Sequence, residues 1–172
     1  MYTVVEKPLP KPSAVEYASA RLLEALAEAL LALRFLEEGL VRNAAGKAFQ
    51  AWRAVLATLL QLELDKLKAL AKDEEEKRWL EARAVPRVPT TMMIPLSQRL
   101  EEAGHRGVLH VTATTLDLHD YHGPDPDMVL SKYRTREEAA YAVAAVARAV
   151  AEYAEALKAR VKWTEEREKT LR

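Results

Sequence analysis

Leu22, Leu26, Ala29, Leu33, Leu36 and Leu40 recur in alternating steps of four and three, and Ala139, Val143, Val146, Val150, Tyr153 and Leu157 repeat the same stepping far down the chain. Such steps keep apolar side chains on one face of an α-helix, whereas a half-buried strand needs alternation by two. No alternating run and no internal repeat occurs in the sequence. Each seam therefore requires a helix that buries one long face, with Leu23 and Leu30 widening the first. The expected fold class is all-α, an antiparallel up-and-down bundle of three long and two short helices.

Punctuation between the seams sets the boundaries. Three prolines in "PLPKP" deny helical donors to an extended arm over residues 1–12. Ser13 with Glu16 reads as a capping box opening the first helix, and Gly39 as its stop. Asn43 is placed to cap a second helix that carries Phe49, Trp52, Leu56, Leu59 and Leu60 and runs on toward Pro86 and Pro89, with the acidic run at Asp73 either a break or a solvated stretch. Gly46 within it suggests a close helix crossing. Short helices are expected near "LSQRLEEAG" and over Val108–Asp120, separated by Gly104 and Gly107. "GPDPD" must be a loop, and Thr135 with Glu138 forms another capping box. The last helix, at roughly thirty residues, would reach about 45 Å. Residues 13–165 thus form one domain, and 166–172 a charged tail.

Composition narrows the function. The 172 residues suit one domain with a sizeable core. Twenty-six basic residues balance twenty-six acidic ones, so the global basic excess usual for binding long nucleic acid is missing, although Lys158 to Arg172 holds six cations against three glutamates. No cysteine is present, which removes disulfides, thiolate nucleophiles and Cys-based zinc sites. No run is apolar enough for a signal peptide or a membrane span, and the expectation is a soluble, cytoplasmic protein without membrane contact. One asparagine, three glutamines and abundant charge match a thermophile's bias.

The chemistry-bearing residues gather late. All four histidines, His105, His110, His119 and His122, fall within eighteen residues. His119 and His122 share a helical face if the helix extends that far, and Asp117, Asp120 or Asp125 stand near enough in sequence to join them on a metal. A zinc site needs three well-placed ligands, however, and aspartates beside a helix end ordinarily cap and turn the chain, so neither metal nor cofactor is expected. Arg99 and His105 form an Arg-x5-His pair. A guanidinium can hold a phosphate while an imidazole abstracts a 2′-hydroxyl proton, which cleaves RNA without metal. The same spacing also suits two surface side chains, because the break at Gly104 lies between them. His110, mid-helix among Val108, Leu109 and Val111, is expected to be partly buried. Lys132, Arg134 and Arg136 precede the last helix, where backbone N–H groups favour an anion. "GKA" at Gly46 to Ala48 is not a phosphate loop, since Ala48 stands where Ser or Thr would meet magnesium.

Two segments carry a family resemblance. "EEGLVRNAAGKAFQAWRAVLATLL" resembles the second-helix signature of archaeal PaREP-type proteins, and "TLDLHDYHGPDPDMVLSKYRTREEAA" resembles their helix–loop–helix signature. Those proteins are similar to the wider HEPN (higher eukaryotes and prokaryotes nucleotide-binding) superfamily. The resemblance implies a helical bundle, often a symmetric dimer. Some superfamily members are metal-independent ribonucleases with an Arg-x4–6-His motif at the dimer interface; others bind nucleotides or serve as partners of nucleotidyltransferases. Here Arg106 stands thirteen residues before His119, too far for that motif, while Arg99–His105 keeps the spacing one short helix too early.

The leading expectation is a HEPN-like binding or interaction module, homodimeric, with a nucleotide or RNA ligand held by His119, Tyr121, His122, Lys132 and Arg134. The second is a metal-independent endoribonuclease using Arg99 with His105 or His119. The third is a structural homodimer whose leucine faces need a partner.

Overall fold

The computed structural model describes residue 11 and residues 15–163. The proline arm (Lys11 excepted), the Ser13 cap and the 166–172 tail lie outside the described residues. Every regular element among the described residues is helical, and the chain is an all-α bundle.

Helix α1 spans Val15–Glu37. Gly39, at φ +73°, turns the chain in a conformation that side chains with a Cβ disfavour. Its N–H reaches the Leu36 carbonyl at 3.0 Å, and the Leu40 N–H reaches Phe35 at 2.8 Å, satisfying the last free carbonyls. Helix α2, Val41–Leu62, resumes on the next residue with Leu40 at the cap position and no side-chain cap. Asn43 therefore lies inside the first turn and is not the cap, because the turn at Gly39 is too short to leave it outside.

These two helices pack along their length as an antiparallel hairpin. The contact is built largely from alanine: Ala18, Ala25, Ala29 and Ala32 of α1 are buried, as are Ala44, Ala48, Ala51 and Ala54 of α2. Small side chains allow two helix axes to approach closely. The leucine seam read from the sequence is only half correct. Leu22, Leu26 and Ala29 are buried, but Leu23, Leu30, Leu33 and Leu40 are exposed. The buried face of α1 instead follows Leu22, Ala25, Ala29 and Ala32, so Leu23, Leu30 and Leu33 fall to either side of it.

The second helix expected from the sequence is broken. It stops at Leu62, continues as α3 (Leu64–Leu70), and restarts as α4 (Glu74–Trp79) with Asp73 accepting the Glu76 N–H at 2.8 Å. A π-helical turn, Leu80–Ala84, and a last turn, Val85–Arg87, complete the segment. Helix α1 clamps this end: the Tyr17 hydroxyl donates to the Val85 carbonyl at 2.7 Å, and Arg21 donates to Pro86 at 3.1 Å.

Two shorter helices follow, α5 (Met93–Glu102) and α6 (Val108–His119). Gly104, at φ +110°, lets the His105 N–H close back on Leu100 at 3.0 Å. A buried polar chain fastens both to α2. Trp52 donates its Nε1–H to Thr112 Oγ1 at 2.8 Å, and Thr112 Oγ1 lies 2.7 Å from Ser97 Oγ. Buried polar atoms need such partners, so each group fixes the register of its neighbour.

Helix α7, Arg136–Leu157, packs on both α1 and α2. Its seam is as read: Ala139, Val143, Val146, Val150 and Leu157 are buried and Tyr153 half-buried. Thr135 caps the helix as expected, its Oγ1 accepting the Glu138 N–H at 3.1 Å, while the Glu138 carboxylate reaches back one residue further, to the Arg134 N–H at 2.7 Å. The helix is shorter than expected. At 22 residues it reaches about 33 Å, because Lys158–Arg160 tighten into a 3-10 turn and Val161 is extended.

Gly46 sits on the exposed side of α2, where a Cβ would meet nothing within 4 Å, so the expected close crossing does not occur there. Gly46→Ala is expected to raise stability by about 0.5–1 kcal/mol through helix propensity alone. Urea unfolding followed by circular dichroism measures it, and a loss of stability would reveal crowding at that position.

Candidate functional site

Arg99 lies on α5 with Nη2 3.1 Å from Glu76 Oε1 and Nη1 3.3 Å from Glu102 Oε2. His105, just past that helix, places Nε2 3.1 Å from Glu63 Oε1. Glu63 is 3% exposed and is held again by Arg160 at 2.6 Å. Burial would push the Glu63 carboxyl up, but the hydrogen bonds from Arg160 and His105 outweigh that and hold it below its ordinary value. Arg99 and His105 thus serve different carboxylates. His110 is exposed, contrary to expectation: α6 buries Val108, Thr112, Thr115 and Leu118, which puts residue 110 on the opposite face.

The corner after α6 is more open. The helix ends at His119, so His119 and His122 do not share a helical face. The exposed His119 imidazole stacks on buried Phe49, with ring centroids 4.1 Å apart and planes inclined by 26°. On Phe49 also sits the Arg53 guanidinium, 5.6 Å from the ring centroid. Tyr121 turns inward to 3% exposure and meets Tyr133 edge-on at 6.0 Å. Burial, with Asp117 nearby, pushes the Tyr133 hydroxyl up to about 12.

Asp125 organises the loop that follows. Its Oδ2 accepts the N–H groups of Leu130 at 2.6 Å and Ser131 at 2.9 Å, which hold its carboxyl below the usual range. Asp125 is therefore a turn-former. Lys132 and Arg134 are exposed; the Arg134 backbone N–H donates to Glu138 at 2.7 Å, while its guanidinium faces solvent. Among the described residues no three His, Asp or Glu side chains gather as a metal site would require.

Two hollows flank this corner. One, of about 420 Å³, is lined by Asp120, His122, Pro124, Val129 and Leu130. The other, of about 260 Å³, lies where the start of α2 meets the loop, between Arg42, Asn43, Tyr121, Pro124 and Arg136. Tyr121 and His122 therefore each face a hollow, whereas His119, Lys132 and Arg134 line neither.

A model of the archaeal PaREP1/PaREP8 family matches residues 20–144. The chain belongs to that family. No curated protein and no solved structure matches it. The PaREP1/PaREP8 match runs from within α1 to within α7 and so includes Glu63, His105 and the whole corner, while Arg160 falls beyond it.

Sequence reasoning left out three residues that the PaREP1/PaREP8 fold brings into play. Phe49, beneath His119, read as core, which it is. Arg42 gave one signal, a cation in the first turn of a helix, where the dipole disfavours positive charge. Glu63 gave another, an acid inside the apolar run "LLQLEL".

Removing the charge in Glu63→Gln is expected to cost about 2 kcal/mol, the scale of hydrogen bonds to a charged group, read by urea denaturation at pH 7. Because its folded pKa is lowered, the stability Glu63 contributes is full above its unfolded value near 4.5 and is lost as pH falls through the folded value. The gap between wild type and Glu63→Gln should therefore narrow below pH 4.5; a gap independent of pH would separate the charge from the stability.

Proposed function

We propose that this PaREP1/PaREP8 chain is a HEPN-like binding module whose ligand is a nucleotide or RNA, taken at the corner between α6 and α7. The observation that carries the reading is the presentation of His119. Its ring lies flat on Phe49, fixed from beneath and exposed, which is the arrangement an unstacked base requires of an aromatic platform. The free guanidinium of Arg134, exposed Lys132 and the hollow beside His122 supply cations and room within the same segment. A basic excess over the whole surface is not needed for a short single strand, since stacking rather than counterion release carries most of the affinity.

His119→Ala is expected to weaken binding of a single-stranded RNA oligonucleotide by about tenfold or more, the loss of one base–aromatic stack, in a fluorescence anisotropy titration. Unchanged affinity would remove His119 from the site. The same RNA, recovered after incubation with EDTA, tests the endoribonuclease alternative: cleavage abolished by His105→Ala or His119→Ala would replace the binding module with an enzyme.

A homodimer is favoured by one further feature. Leu23, Leu30, Leu31 and Leu33 project from the outer side of α1, and Leu30, Leu31, Ala27 and Arg34 line a shallow hollow of about 560 Å³ there. Soluble monomers seldom leave a leucine-rich helix face uncovered, and a second copy covers it isologously. The Leu30→Glu, Leu31→Glu double variant should convert a dimer into a folded monomer by light scattering at micromolar concentration. A wild type already monomeric at that concentration would end the dimer reading.

A further inference from the structure

We propose that the notch between the start of α2 and the α6–α7 corner is a phosphate-monoester subsite that receives the terminal phosphate of a nucleotide or RNA strand, with Arg42, Arg136, the Val41–Asn43 amides and the Tyr121 hydroxyl as its donors. This rests on the nucleotide reading above, shares Tyr121 with it, and places the phosphate on Arg42 and Arg136, which that reading does not use.

Three independent features converge there. The first is an uncapped helix start: α2 runs for 22 residues, carries no acid in its first turn and has no side chain on its leading N–H groups. Those groups point outward with the positive end of the helix dipole, which suits an oxyanion. The second is charge set against that dipole. Arg42 occupies the first turn of α2 and Arg136 the first position of α7, and both line the notch. Glu137 and Glu138 offset Arg136 at the start of α7, whereas the start of α2 has no acid to offset Arg42, so the unbalanced positive charge lies on the α2 side of the notch. Arg136 donates through Nη2 to the Gly39 carbonyl, which anchors it beside the α1–α2 turn and leaves its remaining N–H groups for a ligand.

The third feature is Tyr121. It is 3% exposed and lines the notch, and its hydroxyl has no hydrogen-bond partner among the described residues. Burial raises its pKa, the nearby Arg136 guanidinium partly offsets the rise and the Glu137 carboxylate adds to it, so the hydroxyl stays protonated and available to donate. The ring is buried while the unpartnered hydroxyl keeps access to the notch, so a ligand oxygen can take the place of water there. The number of donors selects the ligand: two guanidinium groups, three amides, the Asn43 side chain and a phenol exceed what the two free oxygens of a phosphodiester accept, whereas a monoester offers three. The notch, at about 260 Å³ and open to solvent, has room for a phosphate and leaves the attached sugar outside.

The test compares two RNA oligonucleotides of one sequence, one with a 5′-phosphate and one with a 5′-hydroxyl, by anisotropy against wild type, Tyr121→Phe and Arg42→Gln, together with the thermal midpoint of each protein with and without inorganic phosphate. The phosphorylated strand should bind wild type at least tenfold more tightly, and each variant should remove most of that preference. Free Tyr121→Phe should melt at or above the wild-type temperature, because it deletes a hydroxyl that bonds to nothing. Equal binding of the two strands, or a drop in the melting temperature of free Tyr121→Phe, overturns the subsite and leaves the nucleotide reading standing. Failure of both strands to bind overturns both; if inorganic phosphate then still stabilises wild type but not Tyr121→Phe, the notch takes free phosphate and the nucleotide source is wrong.

Discussion

The alanine contact between α1 and α2 is the constraint on which the rest of the fold depends. It sets the two longest neighbours close together and leaves α2 enclosed, with α7, α6 and α5 all packing against it. From Ala51 to Leu60 every residue of α2 except Arg53 is buried, as a helix at the centre of a bundle must be. Polar groups on it are consequently committed: Trp52 can only be satisfied by Thr112, and Thr58 bonds back to Ala54 at 3.0 Å. Such groups make the packing unique, because an alternative rotation of α6 would leave the indole N–H without an acceptor.

What the sequence made legible is what local chemistry decides. Gly39, Gly104 and the Thr135–Glu138 pair mark helix ends through bonds spanning a few residues, and all three are found where the residues place them. The α7 seam is equally local. The misreadings share one cause, which is tertiary override. Nothing near Asn43 reveals that the Gly39 turn will be tight enough to bypass it. The break at Glu63 follows from a carboxylate that must meet His105 and Arg160, 42 and 97 residues away. The exposed His110 follows from which face of α6 the Trp52–Thr112 bond selects.

The candidate site divides along the same line. The corner at 115–136 announces itself through clustered His, Asp, Gly and Pro, and the structure finds there a helix end, a turn held by Asp125 and a capped helix start. The other half of the arrangement comes from Phe49 and Arg42 on α2, which join that corner only after the chain has folded back on itself. No spacing rule connects residues so far apart in sequence.

Glu63 carries a further consequence, for the order in which the molecule assembles. The α1–α2 hairpin is built from near neighbours in sequence and closes with little loss of chain entropy. The guanidinium partner of the Glu63 carboxylate, by contrast, comes from the far end of the chain. With α7 docked and the 3-10 turn in place, Arg160 joins His105 on the carboxylate and offsets the cost of taking it out of water. The charge thus acts as a latch between the end of the first hairpin and the C-terminal turn, so that loosening either end uncovers a buried carboxylate at the other.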